Sequence, residues 1–222
     1  MDNQPYVIVK NLSKKIKGQF ILQNIDLTLY RGKIYGFKGR NGSGKTMLFR
    51  ALCGLIHPTD GEIMIDNQVL GKEISFPESV GVIIEYPGFL PDLTGLKNLK
   101  LIAEINHVVS EAQIRESLKA VGLDPDDKRK FKKYSLGMKQ RLGIAQALME
   151  NPEFIILDEP TNALDTEGLE MVRNLLFQMK KENKLILIAS HSQEDLKLLS
   201  DEMFTIENGK IINHEQIRGD QE

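Results

Sequence analysis

Apolar positions along this chain recur in two rhythms, a two-residue alternation in short runs and a helical spacing in longer ones. YVIVKNL (6–12) and NIDLTLY (24–30) predict early strands, and KIYGFKG (33–39) predicts a third that ends in glycine. KTMLFRALCGLI (45–56) reads as a helix stopped near HPTDG by a proline and a glycine. GEIMIDNQVLG (61–71) predicts a hairpin turning at Asp66 and Asn67, and VGVIIEYPG (80–88) a buried strand ending in a proline turn. A helix-dominated block then runs from about 93 to 149, broken by GLDPDD. EFIILDEP, KLILIAS and EMFTIEN predict further strands, separated by helices at 167–181 and 193–199, and FTIENGKII closes the pattern as a hairpin. Strands as continuously apolar as FIIL and LILIA suit a sheet covered on both faces. The fold class expected is α/β, a mainly parallel sheet with an antiparallel N-terminal β subdomain and an inserted α-helical subdomain.

Composition narrows the function. At 222 residues and 41% hydrophobic the chain can bury a sizeable core. Its formal charge of -2 gives no global drive toward nucleic acid, and no nucleic-acid partner is expected. Cys53 lies alone within the apolar pattern ALCGLI, which excludes an internal disulfide framework and points to core packing. No apolar run approaches the roughly 20 residues needed to span a bilayer, and MDNQPYVIVK has no secretory signal pattern, so a cytoplasmic location is expected.

Three stretches carry chemistry. GRNGSGKT follows a strand and opens a helix: its glycines let successive N–H groups of Gly39, Arg40, Asn41, Gly42, Ser43 and Gly44 turn around a polyphosphate. The helix dipole adds positive potential, Lys45 reaches the β and γ phosphates, and the Thr46 hydroxyl can ligate Mg²⁺. This is a nucleoside triphosphate site on a P-loop NTPase core. FIILDEPTNALD delivers two adjacent carboxylates at the carboxyl end of a buried strand, where open α/β sheets place ligands. Asp158 suits Mg²⁺, and Glu159 suits a general base that polarises water. In ASHSQED, His191 again follows an apolar strand, where an imidazole can bond a γ-phosphate or the attacking water. The plainer alternative is a histidine beside a helix N-terminus capped by Ser190 or Ser192. YSLGMKQR (134–141) begins a helix with Ser135 as its cap, yet places Gly137 in the first turn, where glycine forfeits helix propensity.

In this order the motifs resemble the ATP-binding subunit of an ATP-binding-cassette transporter, over nearly the whole chain. The resemblance implies a single ATP-binding domain over residues 5–220, with a helical subdomain at about 88–150. It implies ATP and Mg²⁺ as cofactors and two ATPase subunits, as a homodimer, paired head to tail. YSLGMKQR lies where the family carries its Leu-Ser-Gly-Gly-Gln signature, so Ser135 and Gly137 are expected to bind nucleotide held by the other subunit. Asn162 to Asp165 resemble the loop that couples the two sites. By spacing, Ile16 occupies the place of the family's adenine-stacking tyrosine, with Phe20 close by, and neither is chosen. Leu136 and Met138 depart from the signature. Glu85 stands where a glutamine normally links Mg²⁺ to the membrane subunit; a carboxylate there can coordinate Mg²⁺ but adds negative charge beside Asp158 and Glu159.

SLGMKQRL together with IIEYPGF is similar to the ATPases of bacitracin-type and lantibiotic exporters. The implied partner is a separately encoded membrane-spanning permease, with this chain peripheral on the inner face of the membrane. Residues 85–100 are expected to meet that partner, with Tyr86, Phe89 and Leu90 as apolar contacts or, alternatively, as packing beneath the helical lobe. Two other functions stay open: a soluble ATPase of the same class acting in cofactor assembly, DNA maintenance or translation, and a phosphate-loop kinase, which has no use for YSLGMKQR and NALD.

Overall fold

The computed structural model describes residues 4–85 and 88–217, whose strands form two sheets. The strands and helices in chain order are β1 (Val7–Ile16), β2 (Gln19–Leu29), β3 (Ile34–Lys38), α1 (Lys45–Leu52), β4 (Asp60–Ile65), β5 (Gln68–Val69), β6 (Val80–Ile83), α2 (Gly95–Asn106), α3 (Glu111–Ala120), α4 (Leu136–Leu148), β7 (Phe154–Asp158), α5 (Thr166–Lys181), β8 (Leu185–Ser190), α6 (Gln193–Leu199), β9 (Glu202–Glu207) and β10 (Lys210–Gln216). An antiparallel sheet has the order β2-β1-β4-β5, and a second sheet the order β10-β9-β3-β8-β7-β6. In the second, β9, β3, β8, β7 and β6 run parallel and β10 is antiparallel to β9.

The first hairpin is longer than its apolar alternation predicts. Pairing continues from Leu12↔Ile25 to Ile16↔Gln19 across register shifts. Asn11 and Asn24, at φ 48° and 47°, sit at these irregularities, so the two-residue period breaks and the polar outer half escapes pattern reading. β4 and β5 meet at Asp66 and Asn67, whose φ values of 49° and 65° make the turn the sequence announced. β6 is shorter than predicted, ending at Ile83, and as the edge strand it leaves Val80 and Val82 only partly buried. Helix α1 ends at Leu52, before the apolar pattern does, and the Leu55 N–H closes back onto the Arg50 carbonyl at 2.9 Å.

The uniformly apolar central strands separate two cores. Ile34, Ile155, Leu157, Ile186 and Ile188 face helices α2 to α6, whereas Tyr35, Phe37, Phe154, Ile156 and Leu187 face α1 and the antiparallel sheet. Each such side chain, fully buried, contributes about 1.5–3 kcal/mol, and the demand is equal on both faces. Cys53 lies in the second core as expected, 4% exposed, and burial pushes its thiol up to about 12.

In the helical block, Thr94, Ser110 and Ser135 cap α2, α3 and α4 through their hydroxyls. Of the three apolar residues considered for partner contact, Tyr86 lies outside the described residues. Phe89 is buried against the Phe131 ring, centroids 5.2 Å apart, so for Phe89 packing is what the fold uses it for. Leu90 is exposed.

Candidate functional site

The phosphate loop leaves the carboxyl end of β3 and enters α1. Gly44, the N-cap of α1, takes φ 113°, which residues with a side chain resist, and no side chain caps the first-turn amides. Those amides and the positive end of the helix dipole suit an anion. Lys45 reaches back beneath the loop, its Nζ donating to the Gly39 carbonyl at 2.7 Å and lying 3.9 Å from Glu159 Oε1.

The Thr46 hydroxyl donates to Asp158 Oδ2 at 2.6 Å. Burial is the main reason the Asp158 carboxyl is pushed above the usual aspartate range; the neighbouring Glu159 charge adds to it, while Thr46 and Lys45 oppose it. Beyond β7 the chain turns at Glu159, φ 51°. This brings the Glu159 carboxylate within 3.2 Å of the donating Ser190 hydroxyl and 3.0 Å of His191 Nδ1. The cap of α6 is Ser192, whose hydroxyl accepts from the Asp195 N–H at 3.2 Å, leaving Ser190 to Glu159.

Glu85 sits at φ 63°, and its carboxylate accepts from Arg50 Nη2 at 2.6 Å. The negative charge it adds is therefore met by a cation on α1, a compensation that sequence spacing did not reveal.

A cavity of about 770 Å³ gathers these groups: Arg40 to Thr46, Glu85, Asp158, Glu159 and His191 all line it, with Ile16, Gln140 and Asn162. Ile16 thus reaches the cavity, while the Phe20 ring carries the Lys15 ammonium 4.4 Å from its centroid. Ser135 and Gly137 are elsewhere. They line a separate hollow of about 450 Å³ with Leu136, Met138, Arg141 and the Ala163 to Asp165 loop. Asp165 caps α5 through the Gly168 N–H, and that bond, with Arg141 beside it, holds its carboxyl below the usual range. A Cβ at Gly137 would lie 2.9 Å from the Ala163 carbonyl oxygen, so the glycine that weakens the helix start is what lets α4 seat against this loop.

Sequence reasoning missed Arg50 and Gln140 as neighbours of the site, and it saw Ser190 only as a helix cap. Each is an ordinary polar residue on a helix or strand, and its role depends on a partner 19 to 35 positions away.

The profile of the family described as "ABC transporter" matches residues 22–162. The chain belongs to the ABC transporter family. An ABC transporter ATP-binding protein of Bacillus subtilis strain 168, YybJ, is 47% identical over 94% of this chain and 96% of its own length. The bacitracin transport ATP-binding protein BcrA of Enterococcus faecalis is 39% identical over 96% of this chain and 70% of its own. A dimeric structure of the ATP-binding cassette MJ0796, in a post-hydrolysis state with ADP and Pi, superposes with a TM-score of 0.86 at 25% identity, covering 96% of this chain and 99% of that one. Within the ABC transporter family this chain is an ATP-binding subunit whose ATP hydrolysis serves transport. Among the described residues no helix is long and apolar enough to cross a membrane.

Proposed function

We propose that this subunit works as a pair of identical copies that sandwich two ATP molecules and drive a separately encoded permease, exporting a peptide antibiotic or a similar amphipathic compound. The observation that carries the pairing is the separation of two surfaces that must meet on one nucleotide. The phosphate loop lines one cavity, and Ser135 and Gly137 line another bounded by a different loop. A second copy turned head to tail supplies the missing half to each. The capped start of α4 then presents a hydroxyl and helix-terminal amides to the γ-phosphate held by the partner's loop.

Within one cavity the residues divide the work. Arg40 to Gly44 and Lys45 hold the phosphates; Gly39, expected among them, does not line the cavity and instead accepts the Lys45 ammonium on its carbonyl. Glu159 is the general base, oriented by Ser190 and His191. The Thr46 and Asp158 oxygens are a hard donor pair, and a carboxylate buried beside a second one favours a cation, so this pair fits Mg²⁺. Bound there, Mg²⁺ would shield the phosphate charge. Glu85 lines the same cavity and, with Arg50 on its Oε1, keeps a second carboxylate oxygen that could join this set. Helical residues 88–150 form the lobe that carries α4, and Leu90 and its neighbours are offered to the permease, with the chain on the inner face of the membrane. The bacitracin-type relative supports the class of cargo.

Glu159→Gln tests the reading. It should bind ATP, lose steady-state phosphate release down to a slow residual cleavage, and accumulate as an ATP-dependent dimer in size-exclusion chromatography with light scattering. Normal turnover by this variant would remove Glu159 from the base role; a monomer at saturating ATP would remove the sandwich.

A further inference from the structure

Glu159 is held from both sides of its main chain. Its N–H donates to the Ala189 carbonyl on β8 at 2.8 Å. Its own carbonyl accepts from the Asn162 N–H at 3.3 Å and from the Gln140 side-chain amide at 3.2 Å. Gln140 comes from α4, and it lines the same cavity as the Glu159 carboxylate. A left-handed φ of 51° is uncommon for a residue with a side chain, and it persists only where neighbours over-determine it. The same helix touches the loop beyond Glu159 twice more, at Gly137 against the Ala163 carbonyl and at Arg141, whose Nη2 donates to Asp165 Oδ1 at 3.1 Å.

We propose that Gln140 is a positioning residue for Glu159: by holding the Glu159 carbonyl from α4, it fixes the left-handed turn that aims the carboxylate at Ser190 and His191. The inference rests on the reading of Glu159 as the base. The start of α4 carries Ser135 and Gly137, so nucleotide engaged there bears on the helix and, through Gln140, on the base of the chain's own site. The link is a side-chain amide three residues past Gly137.

Gln140→Met keeps the side-chain length and removes the donor; Gln140→Glu keeps the shape and replaces the donor with a charged acceptor. Both should lower kcat for ATP by about threefold or more, the loss of one hydrogen bond expressed as rate. For Gln140→Met, KM for ATP and binding of a fluorescent ATP analogue should stay at wild-type values while kcat falls, and the thermal midpoint should drop by no more than the few degrees one hydrogen bond is worth, whereas a merely structural role would weaken binding and kcat together. In a Glu159→Gln background, adding Gln140→Met should leave the residual single-turnover rate unchanged, because Gln140 acts through the residue already removed. A loss below about threefold in both single variants, or the same loss repeated in that background, overturns the proposal. Glu159→Gln with normal turnover removes the base reading and this inference with it, while silent Gln140 variants beside an inactive Glu159→Gln sink this inference alone.

Discussion

Replacing Gly137 by alanine sets two effects of opposite sign against each other. In a helix, alanine gains up to about 1 kcal/mol over glycine, so by propensity alone the variant should be more stable. The structure opposes this, because the new Cβ would lie 2.9 Å from the Ala163 carbonyl oxygen, closer than carbon and oxygen tolerate. The obstacle is main chain, not the end of a pliable side chain. Ala163 sits at φ 64°, and its loop leads directly into Asp165, the cap of α5, so it has little room to retreat. Overpacking of this kind costs about 1–3 kcal/mol. The clash wins, leaving a net loss of about 1 kcal/mol and, for a domain of this size, a thermal midpoint about 2–4 °C lower. Calorimetry on nucleotide-free protein measures this, and phosphate release measures the second effect, loss of most ATP hydrolysis as the α4 start and the Ala163 loop are pushed apart. A Gly137→Ala protein that melts higher than wild type with full turnover would refute the reasoning and return the glycine to a tolerated flaw in a helix start.

Asp158→Asn should stabilise the protein while stopping hydrolysis. Burial, and then the Glu159 charge, raise the Asp158 carboxyl above its usual range, so the folded state binds this proton more tightly than the unfolded chain does. Ionised Asp158 therefore costs stability at neutral pH, and the cost fades as the pH falls toward the usual aspartate range. The variant's midpoint without nucleotide should exceed wild type at pH 7, with the gap narrowing on acidification; no gap at pH 7 would contradict the assignment. Cys53 should resist Ellman's reagent in the native protein at pH 8, since its thiol is buried and pushed up to about 12, and should react at once in denaturant. Rapid native labelling would show that α1 opens locally.

Spacing along the chain determined what depends on near neighbours. The phosphate loop between β3 and α1, the paired carboxylates at the end of β7, the Ser135 cap and the Asp66 and Asn67 turn are each written in a few consecutive residues, because backbone conformation and strand or helix direction are local properties. Pattern reading failed where polar residues carry structure, as in the outer half of the first hairpin, and where an element's position in the sheet decides its burial, as in β6. Only the tertiary structure decided which groups face one another: Arg50 with Glu85, Ser190 and His191 with Glu159, Gln140 with the Glu159 carbonyl, and Gly137 with Ala163. Those pairs join elements that are far apart in sequence, and sidedness and distance between such elements follow from packing, which the order of residues encodes only collectively.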